Sequence, residues 1–192
     1  MINSMDSSTT TCGFPFYLEI QRLPGLNLTG RPLVRHAVRA IVIKDGRLLM
    51  VYSAVNGDYK FPGGGMETGE LHEQTLLREL REETGFNLRN IKCLAGTTVE
   101  FDRVREKNYD VFKMYSYYYL CRIKDEINLP SLEPYEADLG FTAAWVCCRD
   151  ALENNQRLMA TNNPENPRWL KRETAVLGIV NSIMGLERAM KP

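Results

Sequence analysis

The chain has 192 residues, 44% of them hydrophobic and 25% charged, enough to bury one core of ordinary size. Lys plus Arg and Asp plus Glu each number 24, a formal net charge of zero, so bulk charge gives no drive toward nucleic acid or a membrane surface. No apolar run approaches bilayer length and no basic-then-apolar leader pattern stands at the start, so the expected compartment is the cytoplasm.

In chain order, Met1–Thr11 is polar and is expected to lack fixed structure. Phe14–Ile20, aromatic and β-branched, predicts a short strand, and Leu23–Pro32, with two prolines and two glycines, predicts a connection. Val34–Ile43 is a strong strand candidate, turned by Asp45-Gly46 into a returning strand over Leu48–Ser53. Asn56-Gly57-Asp58 turns again into Tyr59-Lys60-Phe61 and the run Pro62-Gly63-Gly64-Gly65. A helix is predicted from about Leu71 to a Gly85 stop, with Leu76, Leu77 and Leu80 as its apolar face. Ile91–Glu100 and the aromatic Val111–Ile123 predict strands, and Lys124–Gly140 a long loop of the length that often carries function. Phe141–Cys148 predicts a strand and Asp150 the cap of a short helix over Ala151–Asn155 or a little more. Trp169–Arg188 predicts a C-terminal helix with Val176, Leu177, Val180, Ile183 and Met184 inward. The pattern implies an α+β or α/β sandwich. Residues 1–33 read as an extension of short strand and linker, and 34–192 as the main domain including the last helix.

The five cysteines, Cys12, Cys93, Cys121, Cys147 and Cys148, match no zinc spacing. They read as buried or idle thiols in a reducing compartment, with Cys147 and Cys148 on opposite faces of a strand.

Chemistry concentrates in Gly64–Phe86. Glu79, Glu82 and Glu83 stand at i, i+3 and i+4, one face of a helix. Like charges so placed repel, and a hard divalent cation is the natural partner for clustered carboxylate oxygens. The glycine run just upstream lets a backbone turn sharply beside a phosphate or a metal. A charged solvent face explains six glutamates between Glu67 and Glu83, but not Gly64, Arg78 and Gly85 at fixed offsets.

Gly64, Glu70, Arg78, Glu79, Leu80, Glu82, Glu83, Gly85 and Phe86 fit the Nudix box at nine spaced positions over 23 residues, with Phe86 the loosest fit. The chain therefore resembles a Nudix (MutT-like) hydrolase. The resemblance implies a Nudix fold, a mixed β-sheet between helices with the box as loop–helix–loop. It implies hydrolysis of a nucleoside diphosphate linked to another group, with Mg²⁺ or Mn²⁺ neutralising the diphosphate and activating a water. It implies Glu79, Glu82 and Glu83 as metal ligands, joined by the backbone carbonyl of Gly64. Arg78 then pairs with Glu70 to fix the loop on the helix, and Gly85 ends the helix. The catalytic base is Glu79 or a carboxylate of the downstream loop. Of Glu133, Glu136 and Asp138 there, Glu136 is favoured by its setting.

Other assignments stay open. Arg35, Arg39 and Lys60 either meet substrate phosphate or serve structural ion pairs. Tyr52, Tyr117 and Tyr119 either stack a base or fill the core. Glu100 and Asp102 are rival extra ligands, and His36 and His72 carry no assigned role. The expected partner is a small nucleotide: a nucleoside triphosphate, a nucleotide sugar such as ADP-ribose, or a dinucleoside polyphosphate. A non-catalytic nucleotide-binding or regulatory module on the same fold is the alternative. The N-terminal strand either joins the chain's own sheet or crosses to a partner in a homodimer.

Overall fold

The computed structural model describes residues 11–189, so the expectation for Met1–Thr11 lies, apart from Thr11, outside the described residues. Four long strands form a mixed sheet. β1 (Thr11–Gln21) runs parallel to β5 (Phe86–Asp102), β5 runs antiparallel to β6 (Val111–Ile127), and β6 runs parallel to β2 (Pro32–Lys44). At its far end β2 turns through Asp45-Gly46, both at positive φ, into β3 (Arg47–Ser53). β3 pairs antiparallel with the two-residue β4 (Tyr59–Lys60) and with β7 (Phe141–Val146). β1 thus adds to the chain's own sheet.

Strand alternation sends side chains to two cores. On one side Val38, Ala40, Val42, Tyr119 and Cys121 meet Leu76 and Leu80 of α1 (His72–Thr84). On the other, Ile41, Phe61 and Tyr118 meet Val176, Leu177 and Val180 of α4 (Leu170–Ala189) and Ala151 of α3 (Cys148–Ala160). Helices therefore cover both faces of a mixed sheet.

Several local expectations need correction. β6 runs on to Ile127 because its polar end continues the ladder against β5, where Ile127 faces Phe86, and Lys44 bonds Asp125 at 2.7 Å. The long loop is thereby shortened, and it carries α2 (Pro134–Asp138). β7 stops at Val146, and α3 starts at Cys148, so Cys147 and Cys148 stand at a helix start rather than in a strand. Asp150 lies inside the first turn of α3, where its charge suits the helix dipole. Leu77 is 43% exposed and Ile183 47% exposed: one step from Leu76 is about 100° of helical rotation, which carries Leu77 off the buried face.

The thiol reading also changes. Cys12 and Cys93 form a disulfide, because parallel pairing of β1 with β5 brings Thr11 opposite Leu94 and sets the two Cα atoms 5.2 Å apart. Cys121 and Cys148 are buried.

Candidate functional site

The glycine turn lies along β2. Ala40 N–H donates to Pro62 O at 2.8 Å, Val38 N–H to Gly64 O at 3.0 Å, and Met66 N–H to His36 O at 2.9 Å. Gly63 sits at φ +134°, and a Cβ there would run into the Val38 carbonyl. A Cβ on Gly64 would fall on the Glu79 carboxylate. These two glycines let the turn press against β2 on one side and admit Glu79 on the other.

α1 follows the turn. Leu71 N–H is capped by Gln74 at 2.8 Å, and Gly85, at φ +75°, closes the helix by donating to Arg81 O at 3.0 Å. Arg78 is the hub of its polar face. Its guanidinium forks onto Glu70 at 2.8 and 3.0 Å, and reaches Glu79 at 2.8 Å, Glu82 at 3.1 Å and Gly65 O at 3.1 Å. The Arg78 bond holds the Glu70 carboxyl down at about 2, although partial burial opposes it. Arg78 itself is raised above its ordinary value, by Glu70 first and then by Glu79 and Glu82.

Glu83 is fully buried and bridges two elements. It accepts from Lys60 Nζ at 2.5 Å and from Gly63 N–H at 2.7 Å. Burial pushes its pKa up to about 7, with repulsion from Glu79 adding and Lys60 opposing. Burial likewise raises Glu79, against the pull of Arg78, Arg39 and Lys60. Glu82 is the most exposed of the three carboxylates. Lys60 lies over the rings of Phe141 and Trp169, 4.7 and 5.9 Å from their centroids. Buried Arg39 donates to Gly63 O, and its Nε has no partner among the described residues.

The structure therefore brings Gly64, Glu70, Arg78, Glu79, Glu82, Glu83, Lys60 and Arg39 together around one turn. Arg35 is exposed earlier in β2 and makes none of these contacts. Glu136 is buried in α2, where it accepts from Glu133 N–H at 3.0 Å and from Tyr135 OH at 3.0 Å. Both of its oxygens are thus engaged locally, while Tyr135 lies close enough to Glu83 to feel its charge. Glu100 and Asp102 are committed to cations: Arg22 bonds Glu100 at 2.8 Å and approaches Asp102 at 3.5 Å, and Arg172 also bonds Glu100. Tyr119 OH meets His72 Nδ1 at 2.5 Å, Tyr117 packs on His72 at 4.5 Å, and Tyr52 packs on Tyr59 at 5.0 Å.

Among the described residues no three carboxylate, thiol or imidazole groups converge as a ready metal cage. Glu79 and Glu82 turn to Arg78, and Glu83 turns to Lys60. The donor chemistry still fits Mg²⁺ or Mn²⁺: all-oxygen donors, two of them buried carboxylates whose mutual repulsion a divalent charge relieves. Residues missed from the sequence include Arg22, Arg172 and Glu173. The one signal for two of them is the charged run Lys171-Arg172-Glu173 at the start of α4.

The NUDIX domain profile matches residues 34–171, well over half of the chain, and the chain belongs to that family. Curated relatives include a MutT-like protein of Streptomyces ambofaciens, 41% identical over 61 residues, which are 31% of this chain and 40% of that protein. An ADP-ribose pyrophosphatase of Methanocaldococcus jannaschii is 37% identical over 70 residues, 35% and 41% of the two chains. An RNA pyrophosphohydrolase of Nitratiruptor sp. is 33% identical over 94 residues, 46% and 61% of the two chains. The chain thus spans between two fifths and three fifths of the length of these relatives. Among the described residues no helix is long and apolar enough to cross a membrane.

Proposed function

We propose that this protein hydrolyses a diphosphate bond in a nucleoside diphosphate linked to another group, with Mg²⁺ or Mn²⁺ bound by Glu79, Glu82, Glu83 and the Gly64 carbonyl. The observation that carries this is the packing of Glu79 against Gly64 and of Glu83 against Gly63 N–H. It puts acidic side chains and a close-packed glycine turn at one spot, where a cation-neutralised phosphate can be met. The cation, when bound, offsets diphosphate charge and acidifies a water.

The chain's own groups do the rest. Glu79, buried and raised in pKa, is suited to accept the proton of the attacking water. Glu136, already bonded through both oxygens, is the second candidate base. Arg39 and Lys60 sit beside the turn as donors for phosphate oxygens, with the Phe141 and Trp169 rings behind Lys60. Arg78 keeps Glu70, Glu79 and Glu82 in register. Relatives named ADP-ribose pyrophosphatase and RNA pyrophosphohydrolase support pyrophosphate-bond chemistry.

The test is a panel of nucleoside triphosphates, ADP-ribose, dinucleoside polyphosphates and 5′-triphosphorylated RNA with Mg²⁺ or Mn²⁺. Hydrolysis in ¹⁸O-water shows which phosphorus is attacked. Glu82→Gln and Glu83→Gln are each expected to lower turnover by about 10² or more. Turnover that is untouched by both substitutions refutes the reading.

A further inference from the structure

The glycine turn is gripped from the side opposite the glutamate helix. Glu173, fully buried in α4, accepts Phe61 N–H at 2.9 Å. Two residues on, Gly63 N–H goes to Glu83 at 2.7 Å. Pro62 between them has no N–H to give. The two amides flanking Pro62 are therefore each held by a buried carboxylate, one from α4 and one from α1.

Glu173 is itself fixed. Arg172 donates to it through Nε at 2.9 Å and a terminal nitrogen at 2.7 Å, and Tyr118 OH stands 3.5 Å away. Arg172, 2% exposed, is further bonded to Glu100, which Arg22 shares. Charges this deeply buried are a poor device for stability, since apolar residues of similar volume often serve it as well or better. An apolar residue cannot accept the Phe61 N–H, and a buried amide must be satisfied. Position matters because Gly64 has no room beyond its Cα: the Glu79 carboxylate occupies it. Any shift of the turn moves Glu79 and Glu83 together.

We propose that Glu173 is a positioning residue for the site, with Arg172 as its counter-charge, setting the turn Phe61–Gly64 against Glu79 and Glu83. This rests on the reading of those glutamates as metal ligands. Glu173→Gln keeps the shape but leaves one oxygen to serve both Arg172 and Phe61. Glu173→Asp keeps the charge and withdraws it by one methylene, and serves if the first variant folds poorly. Val111→Ala, buried in the separate cluster of Val99 and Phe101, controls for simple loss of stability.

Amide hydrogen exchange of Phe61 and Gly63 is expected to quicken about tenfold in either Glu173 variant. Mn²⁺ affinity, followed by electron paramagnetic resonance, is expected to fall about tenfold. Val111→Ala leaves Mn²⁺ affinity near wild type and quickens Phe61 and Gly63 no more than the other core amides. Unchanged exchange in both Glu173 variants overturns the proposal, as does an equal and selective effect of Val111→Ala on those two amides. A wild-type protein that binds no Mn²⁺ refutes the metal site instead, and metal-free exchange still decides what Glu173 holds.

Discussion

Arg78 and Glu70 offer a sharp energetic test. The guanidinium meets Glu70 with two bonds in a fork, and the side chains are 23% and 16% exposed. A fully exposed pair is worth about 0–1 kcal/mol, whereas charge-assisted bonds reach roughly 1.5–3 kcal/mol when sheltered. Partial shelter and two-point geometry place the coupling between these limits, at about 1–2 kcal/mol. It is read from a double-mutant cycle of Arg78→Ala, Glu70→Ala and the double variant by urea unfolding in metal-free buffer. The pH dependence supplies the stricter half of the test. Glu70 is depressed from its ordinary 4.5 to about 2 in the folded protein, first by Arg78. A depressed acid stabilises the fold above the unfolded value, and that contribution is lost as pH falls through the folded value. The coupling is therefore expected in full at pH 7 and smaller at pH 3. A coupling below about 0.3 kcal/mol at pH 7, or one that grows on acidification, refutes the reasoning.

Three further outcomes follow from the same geometry. Gly63→Ala places a Cβ on the Val38 carbonyl at a φ that L-residues avoid; a stability loss of at least about 2 kcal/mol is expected by denaturation, and a neutral result contradicts the described turn. Cys12→Ser opens a link across 81 positions of sequence, worth about 4.5 kcal/mol in the chain-entropy model; the unfolding midpoint should drop to that of dithiothreitol-treated wild type, and coincident midpoints with and without reductant argue against the bridge. Glu79→Gln should lower kcat by about 10³ with Mg²⁺ saturating, and Glu136→Gln by less than tenfold; the reverse order moves the base to α2.

What the sequence discloses here is what short-range rules encode. The Asp45-Gly46 hairpin, the helix from about Leu71 to Gly85, and the three carboxylates on one helical face all depend on residues within a few positions of one another. Their placement in the fold follows those rules closely. The misreadings share the opposite property. β6 outruns its apolar stretch because its polar end lies between two pairings with β5, Leu88 opposite Ile123 and Phe86 opposite Ile127, a choice made by the ladder and not by composition. Cys12 and Cys93 meet only because a parallel crossover lays β1 beside β5. Glu100 and Asp102 carry the same carboxylate that makes Glu82 a candidate ligand, and nothing local tells them apart. Glu100 is committed by Arg22 and Arg172, 78 and 72 residues distant, and Asp102 is approached by Arg22 and Arg168. Glu173 makes the point most directly. Within its helix it is an acid of the first turn, beside Lys171 and Arg172, and reads as an ordinary charge at a helix start. Only the approach of Phe61 N–H, 112 residues earlier in the chain, gives that charge an acceptor's task. A local pattern can thus name the chemistry of the glutamate helix, while the residues that hold its turn in place are identifiable only once the sheet has brought α4 beneath it.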